Sequence, residues 1–173
     1  MYCREGPDLR AWIGAAESSQ YGGSDALPGV MGTGASRVSF VFERVKYSEL
    51  NARQQESFNF QKVSAVLADY GFVTILLASD WQGADFIAQH RDGAFLKVQL
   101  KGRLSFAKKY EGRDLYVCFR NGQDWFMYPH DVLLAQVLGQ TRMGASASWR
   151  QHGGYSFPVL SKTMLNFLEP YRL

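Results

Sequence analysis

Two apolar strands around an Asp-Gly turn, within residues 84–103, constrain the fold more than any other part of this 173-residue chain. The first strand has the sequence Ala-Asp-Phe-Ile-Ala-Gln-His, and the second has Ala-Phe-Leu-Lys-Val-Gln-Leu-Lys. Side chains alternate between the two faces of a strand, so Gln99 and Lys101 share one face while Val98 and Leu100 share the other. A hairpin that only builds a core has no need of an acid, Asp85, followed by this amide and amine.

The length of the hairpin loop decides whether Asp85 faces these polar side chains. A three-residue loop, Arg91 to Gly93, pairs His90 with Ala94 and places Asp85 opposite Gln99. A two-residue loop turns the carboxylate to the wrong face, because a shift by one residue flips the whole strand. A shared polar face therefore requires an odd loop or a bulge.

An amphipathic helix is predicted upstream of this hairpin, over residues 48–71. Ser48 can cap its start, and Gly71 stands where a helix ends. Its apolar stripe has helical spacing and comprises Phe60, Val63, Leu67 and Tyr70. Extending the stripe backwards by four residues reaches Glu56, which is an unusual residue in line with a buried face. The alternative is that Glu56 lies at the edge of the stripe, paired with Arg53 or solvated.

The remaining elements predict an α/β fold with a mixed central sheet flanked by helices. The apolar run Phe72–Ala78 is typical of a central strand. Strands are expected at 115–120 and 125–128 around the Asn121-Gly122 turn. Helices are expected from Pro129, at the first helical position, to Leu138, and from a Ser161 cap to Leu168. This domain is assigned to residues 37–173, preceded by a Gly- and Ser-rich flexible N-terminal extension over residues 1–36.

A shared polar face has the chemistry of a metal site. Asp85 offers a carboxylate, Gln99 an amide oxygen and Leu100 a backbone carbonyl, and a helix packed on the sheet can add Glu56. Oxygen ligands of this kind suit Mg²⁺ or Mn²⁺, with several waters retained. Lys101 stands beside them, and its ammonium can orient a water or stabilise negative charge on a phosphate.

Basic residues follow the suspected site directly, although the net charge of the whole chain is only +3. Six lie within 17 residues, with Glu111 as the only acid among them: Lys97, Lys101, Arg103, Lys108, Lys109 and Arg113. Such a stripe is typical of a protein that binds a phosphate backbone. The alternative is a solvated loop.

Other classes of protein have less support in the sequence. No apolar run is long enough to span a bilayer, and no signal peptide is evident, so we expect a cytoplasmic protein without a membrane partner. Cys3 and Cys118 form no metal-type spacing. The three histidines, His90, His130 and His152, are scattered and do not support a zinc site.

The order Glu56, Gly83-Ala84-Asp85 and Val98-Gln99-Leu100-Lys101 resembles the PD-(D/E)xK nuclease superfamily, including its homing and restriction-type endonucleases. The resemblance covers residues 48–130 and implies a restriction-endonuclease-like core. It implies that Glu56 and Asp85 bind Mg²⁺ or Mn²⁺ with the Leu100 carbonyl, and that Lys101 assists the attacking water. Gln99 stands where Glu or Asp is more common, and would complete or orient the site.

The resemblance also implies a function, namely metal-dependent endonucleolytic hydrolysis of DNA by a prokaryotic or phage protein that acts as a dimer or tetramer. The phosphate-binding side chains would be Arg103, Lys108, Lys109 and Arg113. One alternative is an inactive nucleic-acid-binding or assembly module that kept the fold, because Gln99 removes one negative charge from the site. Another is an α/β domain that binds a small ligand or a protein.

Overall fold

The structure is a computed structural model that describes residues 42–173. The predicted N-terminal extension, and its boundary at residue 36, lie outside the described residues. Within the described part, no helix is both long enough and apolar enough to cross a membrane.

The described chain is a mixed α/β fold, as the sequence predicts. The helices are α1 (Ala52–Asp69), α2 (His130–Gln140) and α3 (Lys162–Leu168). The strands are β1 (Phe72–Trp81), β2 (Ala84–His90), β3 (Phe95–Lys101), β4 (Ser105–Ala107), β5 (Leu115–Asn121), β6 (Asp124–Pro129) and β7 (Gly154–Ser156). Five strands form the central sheet in the order β1-β2-β3-β5-β6, and β4 pairs with β7 in a separate two-stranded sheet. Only the β3–β5 pair is parallel, which makes the central sheet mixed.

The β2–β3 hairpin has the three-residue loop on which the site prediction depends. The His90 N–H donates to the Ala94 carbonyl over 2.8 Å, and Phe86 pairs with Val98. Gly93 closes the loop at φ +95°, a left-handed conformation that favours glycine. Continuing this register by one residue brings Asp85 opposite Gln99, on the same face.

Helix α1 packs its apolar stripe against one face of the sheet. Val63 and Leu67 are fully buried among Phe86, Ala88 and Val98. Gly71, at φ +79°, follows the last turn, where the sequence predicts the end of the helix.

Two details of the helix prediction are wrong. Asn51 caps α1 instead of Ser48, because the Asn51 side chain accepts from the Gln54 N–H while the Gln54 side chain accepts from the Asn51 N–H. Ser48 lies in a preceding 3₁₀ turn, Tyr47–Glu49. Tyr70 is 51% exposed because it follows the last helical residue, where the helical periodicity that would bury it has ended.

Strand β1 is an edge strand, which corrects the prediction of a central one. Among residues 42–173 it pairs only with β2 in the central sheet, and its apolar side chains Val73, Ile75 and Leu76 are each at least half exposed. The Pro129 prediction is also shifted by one residue. Pro129 ends β6 and precedes α2, which begins at His130.

A second core lies between the other face of the sheet and the C-terminal helices. It contains Val117, Phe119 and Tyr128 from the sheet together with Leu133 and Val137 from α2. The β4–β7 ribbon adds Phe106 to this core. Tyr110 lies in the segment between β4 and β5 and is buried in a separate cluster with Ala84 and Leu115.

Candidate active site

The polar end of the β2–β3 pair is built around the Asp85 carboxylate. Backbone pairing between the two strands runs as far as Phe86 and Val98. One residue further on, Asp85 Oδ2 accepts the Leu100 N–H over 2.7 Å and also accepts from Gln99 Nε2. The side chain of Asp85 thus bonds across to β3 at the position where the sheet opens.

One cavity brings together all the residues for which the sequence predicts a metal or catalytic role. It has a volume of about 370 Å³. Its lining includes Glu56, Asp85, Gln99, Leu100 and Lys101. Glu56 lies in the first half of α1 and is exposed, so it stands at the solvated edge of the apolar stripe, as the alternative interpretation predicts, while it lines this cavity. A second cavity, of about 520 Å³, shares Glu56 and Asp85, so the two acids lie at its junction with the first.

Gln99 is oriented by hydrogen bonds at both ends of its amide. The Tyr110 hydroxyl donates to Gln99 Oε1 over 2.9 Å, and Gln99 Nε2 donates to Asp85 Oδ2. Gln99 is 5% exposed and Tyr110 is 3% exposed. Gln99 Oε1, which the sequence predicts as a cation ligand, therefore accepts from Tyr110 instead, and the NH₂ group of Gln99 is directed at the Asp85 carboxylate.

Lys101 is the last residue of β3, and its ammonium is not committed to a carboxylate. Among residues 42–173, Lys101 forms no ion pair. Its Nζ lies 5.5 Å from the centroid of the Tyr110 ring. The charge is thus held beside the acids and remains available to a ligand in the cavity.

Opposing effects act on the Asp85 carboxyl group. Burial raises its pKa above the ordinary value of 3.8, and this effect outweighs the Leu100 N–H and the Lys101 ammonium, which lower it. The neighbouring acids Glu56 and Asp80 raise the pKa further. A bound cation would offset both the desolvation of this carboxylate and its repulsion from the neighbouring acids.

The donor set fits one hard cation and does not fit zinc. Among the described residues, no three His, Cys, Asp or Glu side chains are grouped so that they could hold a metal. Glu56 and Asp85 provide two carboxylates on a shared cavity, with the Leu100 backbone beside them. Mg²⁺ is commonly bound by one or two carboxylates while it retains several waters, and this set meets that requirement.

The four residues predicted to contact phosphates do not all line one of the cavities described here. Lys109 and Lys101 line one cavity of about 440 Å³, whereas Arg113 lines a different cavity with Lys97 and Gln82. Lys108 has its Nζ 5.4 Å from the centroid of the Trp149 ring. Arg103 is exposed in the turn after β3.

Sequence reasoning missed two residues of this site, Tyr110 and Asp80. Tyr110 is the last residue of a 3₁₀ turn, Lys108–Tyr110, and no periodic pattern connects it with Gln99. Asp80 lines the larger cavity with Glu56 and Asp85, and its Oδ1 accepts the Gly83 N–H over 2.7 Å. Its position just before the Gly-Ala-Asp turn is the one local signal that could have identified it.

Two of the solved structures that are similar to this chain are nucleases. A bacterial homing endonuclease is 15% identical over 49% of this chain and 70% of its own, with a TM-score of 0.38. A Holliday junction resolvase from Archaeoglobus fulgidus is 17% identical over 40% of this chain and 74% of its own, with a TM-score of 0.33.

Both neighbours have PD-(D/E)xK-type nuclease folds. Neither alignment assigns a role to any residue of this chain. No protein-family profile matches the sequence. No curated protein matches it either.

Proposed function

We propose that this protein is an endonuclease that hydrolyses DNA phosphodiester bonds with the help of Mg²⁺ or Mn²⁺. The observation that carries the proposal is the single cavity lined by two acids, Glu56 and Asp85, the Leu100 backbone and the Lys101 side chain. Hard-cation ligands beside a free ammonium are what metal-assisted phosphoryl chemistry requires.

Each residue has a distinct role in this proposal. Glu56, Asp85 and the Leu100 carbonyl hold the cation, which when bound would neutralise phosphate charge and lower the pKa of a water. Lys101 orients the attacking water and stabilises the negative charge that develops on the phosphoryl oxygens. Gln99 holds the Asp85 carboxylate in one orientation and donates no oxygen to the cation.

The substrate would be DNA held by basic side chains next to the cavity. Lys109 has the strongest support among the four predicted phosphate contacts, because it lines a cavity together with Lys101. Arg103 and Lys108 follow β3 closely in the chain, and Arg113 would contact a phosphate further from the site. Cutting both strands with one site per chain favours a dimer or tetramer, which light scattering coupled to size-exclusion chromatography would measure.

One observation favours a second candidate, a nucleic-acid-binding module without catalytic activity. Gln99 is neutral, and its amide oxygen accepts from Tyr110, so the donor set has only two carboxylates on the shared cavity. A weaker cation site would abolish cleavage while the basic surface still bound DNA.

The test is nicking of supercoiled plasmid by the full chain with Mg²⁺ or Mn²⁺, with and without chelator. We expect nicking by the wild type that chelator abolishes, and a loss of at least about 100-fold in Lys101→Ala. Arg91→Ala, in the hairpin loop at the opposite end of the strands, is the control and should cut normally. DNA binding without cleavage under every metal condition would favour the inactive module. An absence of both would refute the two candidates together.

A further inference from the structure

Tyr110 contacts two residues of the candidate site, Gln99 and Lys101. Its hydroxyl donates to Gln99 Oε1 over 2.9 Å. The ammonium groups of Lys101 and Lys109 lie 5.5 Å and 4.9 Å from the centroid of its ring. The fully buried ring of His130 packs edge-on against it, with 5.6 Å between the ring centroids.

We propose that Tyr110 is a positioning residue that prepares this site for its cation, through the Gln99 amide and through the Lys101 ammonium. The inference rests on the proposed nuclease function and deepens it. In this proposal Tyr110 contacts neither the substrate nor the cation.

The hydroxyl of Tyr110 selects one of the two orientations of the Gln99 amide. A hydroxyl that donates to Oε1 leaves Nε2 directed at Asp85, and an ionised carboxylate can only accept. The flipped amide would set its oxygen against the carboxylate oxygen, and the Tyr110 hydroxyl would lose its acceptor. The hydrogen bonds therefore fix both side chains in the metal-free protein.

As a consequence, the two carboxylate oxygens of Asp85 differ in their partners. Oδ2 is engaged by the Leu100 N–H and by Gln99 Nε2. The other oxygen is left for a cation in the cavity that Glu56 also lines. Gln99 thus orients the carboxylate without adding a second negative charge that would itself need a cation.

The ring of Tyr110 acts separately on Lys101. A cation over an aromatic face is attracted by the quadrupole of the ring, and Lys101 has no ion pair among the described residues to compete with this. The ring also lies close to Gly83, because a Cβ there would lie 3.0 Å from the Tyr110 atoms Cδ1 and Cε1. Hydroxyl and ring can therefore be tested independently.

Three variants separate these roles. Tyr110→Phe removes the hydroxyl and keeps the ring, and Tyr110→Leu removes both. Tyr128→Phe is the matched control, because the Tyr128 hydroxyl is also buried and donates to the Ser105 carbonyl over 2.7 Å, and among the described residues Tyr128 makes no hydrogen bond to Gln99 or Lys101. Urea unfolding of each variant establishes that it is folded before any other measurement.

The first measurement is Mn²⁺ binding to the full-length protein by titration calorimetry, without DNA. Residues that orient metal ligands typically change metal affinity by about 10–100-fold. We expect Tyr110→Phe to weaken Mn²⁺ binding by about tenfold, and Tyr128→Phe to stay within about twofold of wild type. The second measurement is the plasmid-nicking rate at saturating Mn²⁺. There Tyr110→Phe should recover most of the wild-type kcat, and Tyr110→Leu should not.

The outcomes distinguish the two proposals. If the wild type binds Mn²⁺ and nicks DNA, but Tyr110→Phe matches Tyr128→Phe in Mn²⁺ affinity, then the role of Tyr110 is overturned and the nuclease proposal stands. Equal kcat values for Tyr110→Phe and Tyr110→Leu at saturating Mn²⁺ would overturn the role of the ring. A wild-type protein that neither binds Mn²⁺ nor nicks DNA would overturn the nuclease proposal, and the role of Tyr110 with it.

Discussion

Substituting Gly83 by alanine should damage this protein in a way that a matched glycine elsewhere does not. Gly83 is buried at φ +96° just before β2, and Gly93 has φ +95° just after it. A Cβ at position 83 would lie 3.0 Å from Cδ1 and Cε1 of the Tyr110 ring, whereas a Cβ at position 93 would meet nothing within 4 Å. The two substitutions therefore share the backbone strain and differ in the clash.

The expected losses of stability follow from the backbone strain and from the clash. Holding an alanine at such a positive φ costs about 1–3 kcal/mol, and both variants bear this cost. Overpacking a buried ring adds about 1–3 kcal/mol for Gly83→Ala alone. We expect the free energy of unfolding to fall by about 1–3 kcal/mol in Gly93→Ala. In Gly83→Ala it should fall by about 2–6 kcal/mol.

Urea denaturation followed by tryptophan fluorescence, in buffer without divalent cations, measures both values. The clash is isolated by repeating Gly83→Ala in a Tyr110→Ala background, where its cost should drop to that of Gly93→Ala. Equal destabilisation by the two glycine substitutions in the wild-type background, within about 0.5 kcal/mol, would refute the reasoning. It would mean that the Tyr110 ring is not held against Gly83.

Three further predictions concern the charges of the site. Gln99→Glu places a second carboxylate against Asp85 without a donor between them, so the free energy of unfolding of the metal-free protein should fall by about 1–3 kcal/mol, and Mn²⁺ should raise its thermal stability more than that of the wild type. A metal-free variant more stable than the wild type would contradict this. Lys109→Gln should reduce the slope of log K against log salt for a short DNA duplex by about 1, and Arg91→Gln should leave the slope unchanged. Because burial raises the Asp85 pKa in the folded state above its ordinary value of 3.8, the stability linked to this group is fully present below pH 3.8 and is lost as the pH rises through the folded-state pKa. Asp85→Asn should remove that pH-dependent loss of stability in urea titrations of the metal-free protein. If the stability of the wild type and of Asp85→Asn changed identically with pH, this contribution of Asp85 would be excluded.

Much of the candidate site followed from rules that act over short stretches of chain. The three-residue loop and its glycine at position 93 set the register of the hairpin, and the register places Asp85 opposite Gln99. Helical periodicity, extended backwards from Phe60, identified Glu56 at the cavity. The side-chain period is a property of neighbouring residues, so the sequence states it directly. The choice between a two-residue and a three-residue loop came from the structure.

The position of β1 shows where such rules fail. Its apolar run is typical of a central strand, yet only β2 pairs with it in the central sheet, and Ile75 remains 54% exposed. Which strands become neighbours depends on how the later strands cross over and on what covers each face. A local apolar run carries neither piece of information.

By itself the sequence determined the mixed α/β class, and it identified the acid, the amide and the amine that share one face of the hairpin if its loop has three residues. Only the tertiary structure decided that β1 lies at the edge, that β4 pairs with β7, and that the Tyr110 hydroxyl reaches Gln99. These contacts join segments whose proximity is selected by burial of the whole core and by the entropy of closing the intervening chain. The turn and the alternation of side chains, in contrast, are fixed by the backbone sterics of a few consecutive residues.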